Sequence, residues 1–191
     1  MTMIPLRYLI PALGVAMASA IVAQYAHSIM MKSEPRYGWE DAVKLAEALN
    51  AGRATLTFRA YLEERPLTLV LTLDGKKYML PLTRVLVFFE ARGAPIYEER
   101  SPQLWGVWGN GTHAGAISFV DVTDDGASVT IKYVSLGSQS QASSICVVPS
   151  PEPSYYLISH QGGSVELGNG EYEWSGRRSV LIIKLRVVGC G

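Results

Sequence analysis

The chain has 191 residues, 48% of them hydrophobic, which suits one well-buried domain with or without an appendage and excludes a disordered tail. Its 17 Lys and Arg balance 17 Asp and Glu, so it lacks the cationic surplus that neutralises phosphates, and no nucleic-acid partner is expected. Three histidines and two cysteines, with no CxxC, CxxCH or HExxH spacing, exclude the common zinc and haem sites, and neither metal nor cofactor is expected.

From residue 1 to residue 31 the only formally charged side chain is Arg7, whereas both signs appear at ordinary surface frequency afterwards. The run YLIPALGVAMASAIVAQYAHSIMM, residues 8–31, would be roughly 36 Å long as a helix, enough to span a bilayer. Two processing sites compete with a permanent anchor: Ala16-Met17-Ala18 and Ala18-Ser19-Ala20 both match the small-residue cleavage pattern of a signal peptide. At 100° per residue Ala12, Ala16, Ala20 and Ala23 form one stripe, with Ser19 at its edge and His27 continuing it. Small residues at that spacing let helix backbones approach closely, which marks a helix-packing interface in a homo-oligomer or filament. Gln24 and His27, polar groups at that depth, want partners or an aqueous edge.

Pro35 breaks the helix, closing a first region at residues 1–38. A short amphipathic helix is expected at 39–52, WEDAVKLAEALNAG. Ala42, Val43, Leu45, Ala46 and Leu49 recur at helical spacing, Glu40 and Asp41 suit the N-terminal dipole, and Asn50 to Gly52 stop it.

Residues 53–191 read as an all-β domain of roughly ten strands, an antiparallel, immunoglobulin-like β-sandwich. ATLTFRAYL alternates as a half-wet strand. LTLVLTL and KKYMLPL flank Asp74-Gly75, a strong hairpin signal, and RVLVFFEA is a further strand buried at Val87 and Phe88. AISFVDV and ASVTIKYV form a second hairpin around Asp124, Asp125 and Gly126; SICVV, SYYLIS, SVELG, EYEWS and VLIIKLRVV complete the set.

Cys146 opens a late strand and Cys190 follows the last one, so a disulfide is expected between them. It would close a loop of about 45 residues and contribute roughly 3 to 4 kcal/mol. Asn110-Gly111-Thr112 is a glycosylation sequon in a turn, making Asn110 a candidate modification site. Flanking charge is balanced around the apolar run, and the cysteines place the β domain outside, at the cell surface or beyond it.

Other constellations have plainer readings. Asp121, Asp124 and Asp125 have the chemistry for calcium but fit a hairpin turn. His113 and His160 lack the GxSxG elbow or cysteine-protease context of nucleophilic catalysis, and the chain is not expected to be an enzyme. Trp105 and Trp108, with Tyr97 nearby, fit a bulge or loop plug better than a binding platform. Gly162-Gly163 and Gly168-Asn169-Gly170 lack the following helix of a phosphate loop.

An apolar N-terminal helix at 8–31 followed by a β-rich domain resembles the archaeal type IV pilins and archaellins. The resemblance implies helices packed into a filament core and β domains, often glycosylated, coating it. The leading expectation is therefore a structural subunit of an extracellular filament or surface assembly, self-associating through Ala12, Ala16, Ala20 and Ala23. The alternative is a single-pass anchored β-sandwich acting as an accessory subunit or surface binding module.

Overall fold

The computed structural model describes residues 37–99, 103–137, 144–152, 154–167 and 170–190. The apolar run with its alanine stripe lies outside them, and Tyr37–Gly191 forms one compact unit by itself. Among the described residues no helix is long and apolar enough to cross a membrane.

One helix, α1 (Trp39–Asn50), opens the unit. Asp41 Oδ2 accepts from the Gly38 N–H at 2.8 Å, satisfying a donor at the helix start, and Ala42, Leu45, Ala46 and Leu49 form its buried stripe. The expected stop residues act beyond their turn. Asn50 Nδ2 donates to the Trp105 carbonyl and Asn50 Oδ1 accepts from the Trp105 N–H, both at 2.9 Å, tying the helix end to a strand.

Among the described residues eleven strands follow: β1 (Arg53–Thr55), β2 (Tyr61–Leu73), β3 (Lys76–Glu90), β4 (Ile96–Glu99), β5 (Trp105–Asn110), β6 (His113–Ser118), β7 (Asp121–Asp124), β8 (Ser128–Leu136), β9 (Ser144–Pro149), β10 (Tyr155–Leu167) and β11 (Gly170–Gly189). They make a single sheet in the order β1-β9-β11-β10-β2-β3-β6-β5-β4, with β8 on β11 and β7 on β8. The pairs are antiparallel except β8 with β11, which run parallel from Ser128↔Ser179 to Leu136↔Val187. β9 and β10 pair with separate stretches of β11, at 185–189 and 170–182, and β8 overlaps both, so β8 occupies the opposite edge.

Several expected strands prove to be parts of longer ones. KKYMLPL and RVLVFFEA are one strand, β3, running through Pro81. Pro81 pairs with Thr68 of β2, while β6 joins β3 only from Leu86, so the proline faces an edge that demands no N–H. Pro66 is placed likewise, because β10 reaches β2 only at 69–73. SYYLIS and SVELG merge into β10, and EYEWS and VLIIKLRVV into β11. ATLTFRAYL divides instead: β1 stops at Thr55, and Leu56 and Phe58 turn toward the core before β2 begins.

Length lets a strand serve two cores. Val85, Val87 and Phe89 of β3 join α1, Ala54, Ala114, Ala116, Val134, Ile145 and Val187 in an inner core. Leu82 of β3 joins Leu69, Leu71, Leu73, Val129, Ile131, Tyr133, Val165, Trp174, Val180 and Ile182 in an outer core. Side chains alternate between faces, so the odd and even members of β3, and likewise of β8 and β11, place these cores on opposite faces of the sheet. The sheet folds over so that β8 meets β2 and β3: Thr83 Oγ1 donates to the Val134 carbonyl and the Leu136 N–H to Glu64 Oε1, each at 3.1 Å. Val87 is fully buried as expected; Phe88, on the other face, is only half-buried.

Cys146 and Cys190 form a disulfide with a Cα–Cα distance of 5.6 Å. Strand register explains it: Cys146 is opposite Val188, which puts Cys190 just past the pair, and Ser144 Oγ donates to the Cys190 carbonyl beside it.

Candidate functional site

The β2–β3 hairpin turns at Asp74-Gly75, both residues at positive φ (49° and 76°), as a two-residue turn compatible with strand twist requires. Alternation sends Leu71 and Leu73 of β2, and Tyr78 and Leu80 of β3, to one face near its tip. Opposite stands β10, whose register on β11 shifts between Leu157 and His160 and again between Gln161 and Gly163. Bulges bend a strand and re-aim its side chains. Here they swing His160 to the hairpin tip, where its Nδ1 lies 2.7 Å from Asp74 Oδ2, while the Gln161 N–H donates to Asp74 Oδ1 at 3.1 Å.

Between hairpin and bulged strand an open pocket of about 250 Å³ remains, walled by Leu71, Leu73, Leu80, Leu157 and Ile182, with Tyr78, Tyr155 and His160 completing its lining. The two tyrosines are exposed, Tyr155 to 65%. The His160 hydrogen bond and, next, the Gln161 amide hold the Asp74 carboxyl below the usual carboxylate range. A largely apolar hollow with one oriented imidazole is the composition of a small-molecule site.

The residues singled out from sequence are dispersed. Asp124 and Asp125 are occupied by their turn: Asp124 accepts from the Gly126 N–H at 2.7 Å, and Asp125 from the Ala127 and Ser128 N–H groups at 2.8 and 2.6 Å. Those amides, first among several donors, lower both carboxyls; Tyr172 and Arg178 also bind Asp124. Asp121 is apart, 4.0 Å from Lys132 Nζ, and among the described residues no group of three or more His, Cys, Asp and Glu is placed to hold a metal. His113 Nδ1 lies 2.9 Å from Thr112 Oγ1. Asn110 is exposed in the β5–β6 turn, its Oδ1 accepting from the Thr112 and His113 N–H groups at 3.2 and 2.8 Å.

Trp105 is buried in the inner core, and Tyr97 lies near Trp39, so they form no joint platform with Trp108. Trp108 instead belongs to a cross-strand row in register, Tyr61–Phe88–Gly115–Trp108–Glu98. A Cβ on Gly115 would sit 2.1 Å from the Val87 carbonyl oxygen and 2.9 Å from Phe88 Cβ, so glycine alone permits the Phe88–Trp108 contact at 5.9 Å between centroids. Arg59 lies over Tyr61 and Arg65 over Trp108, at 5.6 and 5.4 Å, covering those ring faces.

The pocket itself is the part that sequence reading missed. Its signal was present in Gln161-Gly162-Gly163: glycines inside an alternating pattern mark a bulge, and Gly162 has φ 95°. What the pattern does not carry is the partner, 86 residues away at Asp74.

Comparison with known protein families, known proteins and solved structures finds no match to this chain.

Proposed function

We propose that the chain is a protein of the cell exterior, tethered by the apolar segment at residues 8–31, whose β domain works as a surface binding module or accessory subunit. The observation that carries the module reading is the open hairpin pocket, apolar and furnished with one imidazole held by Asp74. The exterior placement is supported by the chain's two cysteines being joined, since such bonds persist in oxidising compartments. We also read the outer core, closed where the sheet folds over, as the interior of an immunoglobulin-like sandwich whose two layers belong to one continuous sheet.

The test is topological. A Thr112→Cys variant, exposed in the β5–β6 turn, should react with an impermeant maleimide in intact cells, and in the wild type, which keeps the sequon, the peptide containing Asn110 should carry glycan mass. Labelling only after lysis overturns the exterior placement.

A second reading is the filament subunit, favoured by the stripe Ala12, Ala16, Ala20 and Ala23. In a filament every subunit repeats the helix contact, so Ala16→Leu or Ala20→Leu should abolish assemblies seen by electron microscopy while leaving the β domain's melting unchanged. In a lone anchor the same changes are neutral, because Leu suits hydrocarbon at least as well as Ala.

A further inference from the structure

The binding-module reading leaves the ligand unnamed, and the pocket's chemistry narrows it. Tyr78 and Tyr155 stand 46% and 65% exposed at the mouth of a hollow walled by leucine and isoleucine. Covering such a surface with a hydrocarbon body removes apolar area from water on both partners. A cavity of roughly 150 Å³ takes a benzene ring, so this one, at about 250 Å³, takes a body of roughly ten heavy atoms.

The polar end is set by His160. Its Nδ1 is committed to Asp74, which leaves Nε2 as the imidazole nitrogen for a ligand. Nε2 accepts a hydrogen bond when the ring is neutral and donates one when it is protonated. A hydroxyl group satisfies both states because it is donor and acceptor at once. A carboxylate would lie beside the Asp74 carboxylate and be repelled. Either a carboxylate or an ammonium would also lose its water against an apolar wall, where a neutral hydroxyl loses far less.

Resting on the module reading, we propose that this pocket binds a neutral alcohol or phenol of about six to ten carbons. Its hydrocarbon body lies between the β2–β3 hairpin and Leu157 and Ile182, and its hydroxyl lies on His160 Nε2.

The full chain in lipid nanodiscs, labelled with ring-¹³C histidine, provides its own controls, because His27 and His113 report on any non-specific partition of the ligand. Titration with butanol, hexanol and octanol should shift the His160 ring signals alone and saturably. Each added methylene should tighten binding by about fourfold until the pocket is full. Hexanoate and hexylammonium should bind at least tenfold more weakly than hexanol. Leu157→Trp should abolish the shift by filling the hollow; Leu80→Phe is a second filling variant if the first fails to fold.

The proposal is overturned if His160 does not respond at any chain length, if all three histidines move alike, or if folded filling variants still respond. It also fails if the charged probes bind as well as the alcohol. Failure here with Thr112→Cys labelled from outside removes the ligand and leaves the exterior placement standing. An alcohol response with labelling only after lysis does the reverse.

Discussion

The inner and outer cores draw on the same long strands yet close in different ways. On the inner side α1 meets the sheet through Ala42, Ala46, Ala114 and Ala116, small residues that bring helix and strands into close contact around Phe89. On the outer side the cover is a hairpin tip and a bulged strand carrying leucines and tyrosines, and the pocket is what their shapes leave open. The inner end is further fastened by Asn50 on Trp105 and by the disulfide near the last strand's end, whereas the outer end is held by Asp74 on His160 and Gln161. Close packing, a two-bond side-chain tether and the disulfide thus gather at the inner core, and the pocket opens at the outer one.

That contrast is open to attack from both sides. The largest loss is expected from Phe89→Ala, which empties the inner core beside Tyr37 and Phe58 and should cost about 3–5 kcal/mol in urea unfolding. Cys190→Ser comes next, lowering stability by about 3 kcal/mol through release of the 44-residue separation from the unfolded chain's constraint. Wild-type protein treated with reductant should fall to the same midpoint, and no change in either sample would show that the bond constrains nothing. Asn50→Ala leaves both Trp105 backbone groups without their side-chain partner and should cost about 1–3 kcal/mol, visible as a lower melting temperature. Leu157→Ala, at a half-buried wall already facing open space, should cost about 1 kcal/mol or less. A loss there as large as that of Phe89→Ala would contradict the division of labour.

The smallest effect concerns acid. The carboxyls of Asp74, Asp124 and Asp125 are all lowered by hydrogen bonds made in the folded state. Their contribution is therefore present above the unfolded-state pKa, near 4, and is lost as pH falls through the lower folded values. The melting temperature should decline below about pH 4, and less steeply in Asp125→Asn, as scanning calorimetry across pH 2–6 would measure.

Local chemistry was readable in advance where one short stretch carried it. Helix α1, the Asp74-Gly75 turn, the Asp124–Gly126 turn and the pairing of Cys146 with Cys190 all follow from neighbouring residues or from there being only two cysteines. Continuity was harder to see. Pro81 looks like a strand end until the edge it faces is known, and that edge depends on where β6 stops pairing. The candidate site was the least visible part, because its imidazole becomes distinctive only once two bulges and a hairpin turn distant in the chain have met.

β11 occupies the middle of the sheet, bonded on one side to β8 and on the other to β9 and β10. Its pairings with β8 and β9 join residues far apart in sequence, which raises contact order and slows closure. While residues 170–189 are still emerging from the ribosome, the β10–β2 side of the sheet, the β1–β9 pair and the β7–β8 pair have no strand to join them. β11 is thus the strand that turns three separate pieces into one sheet, and closure of the domain waits on it.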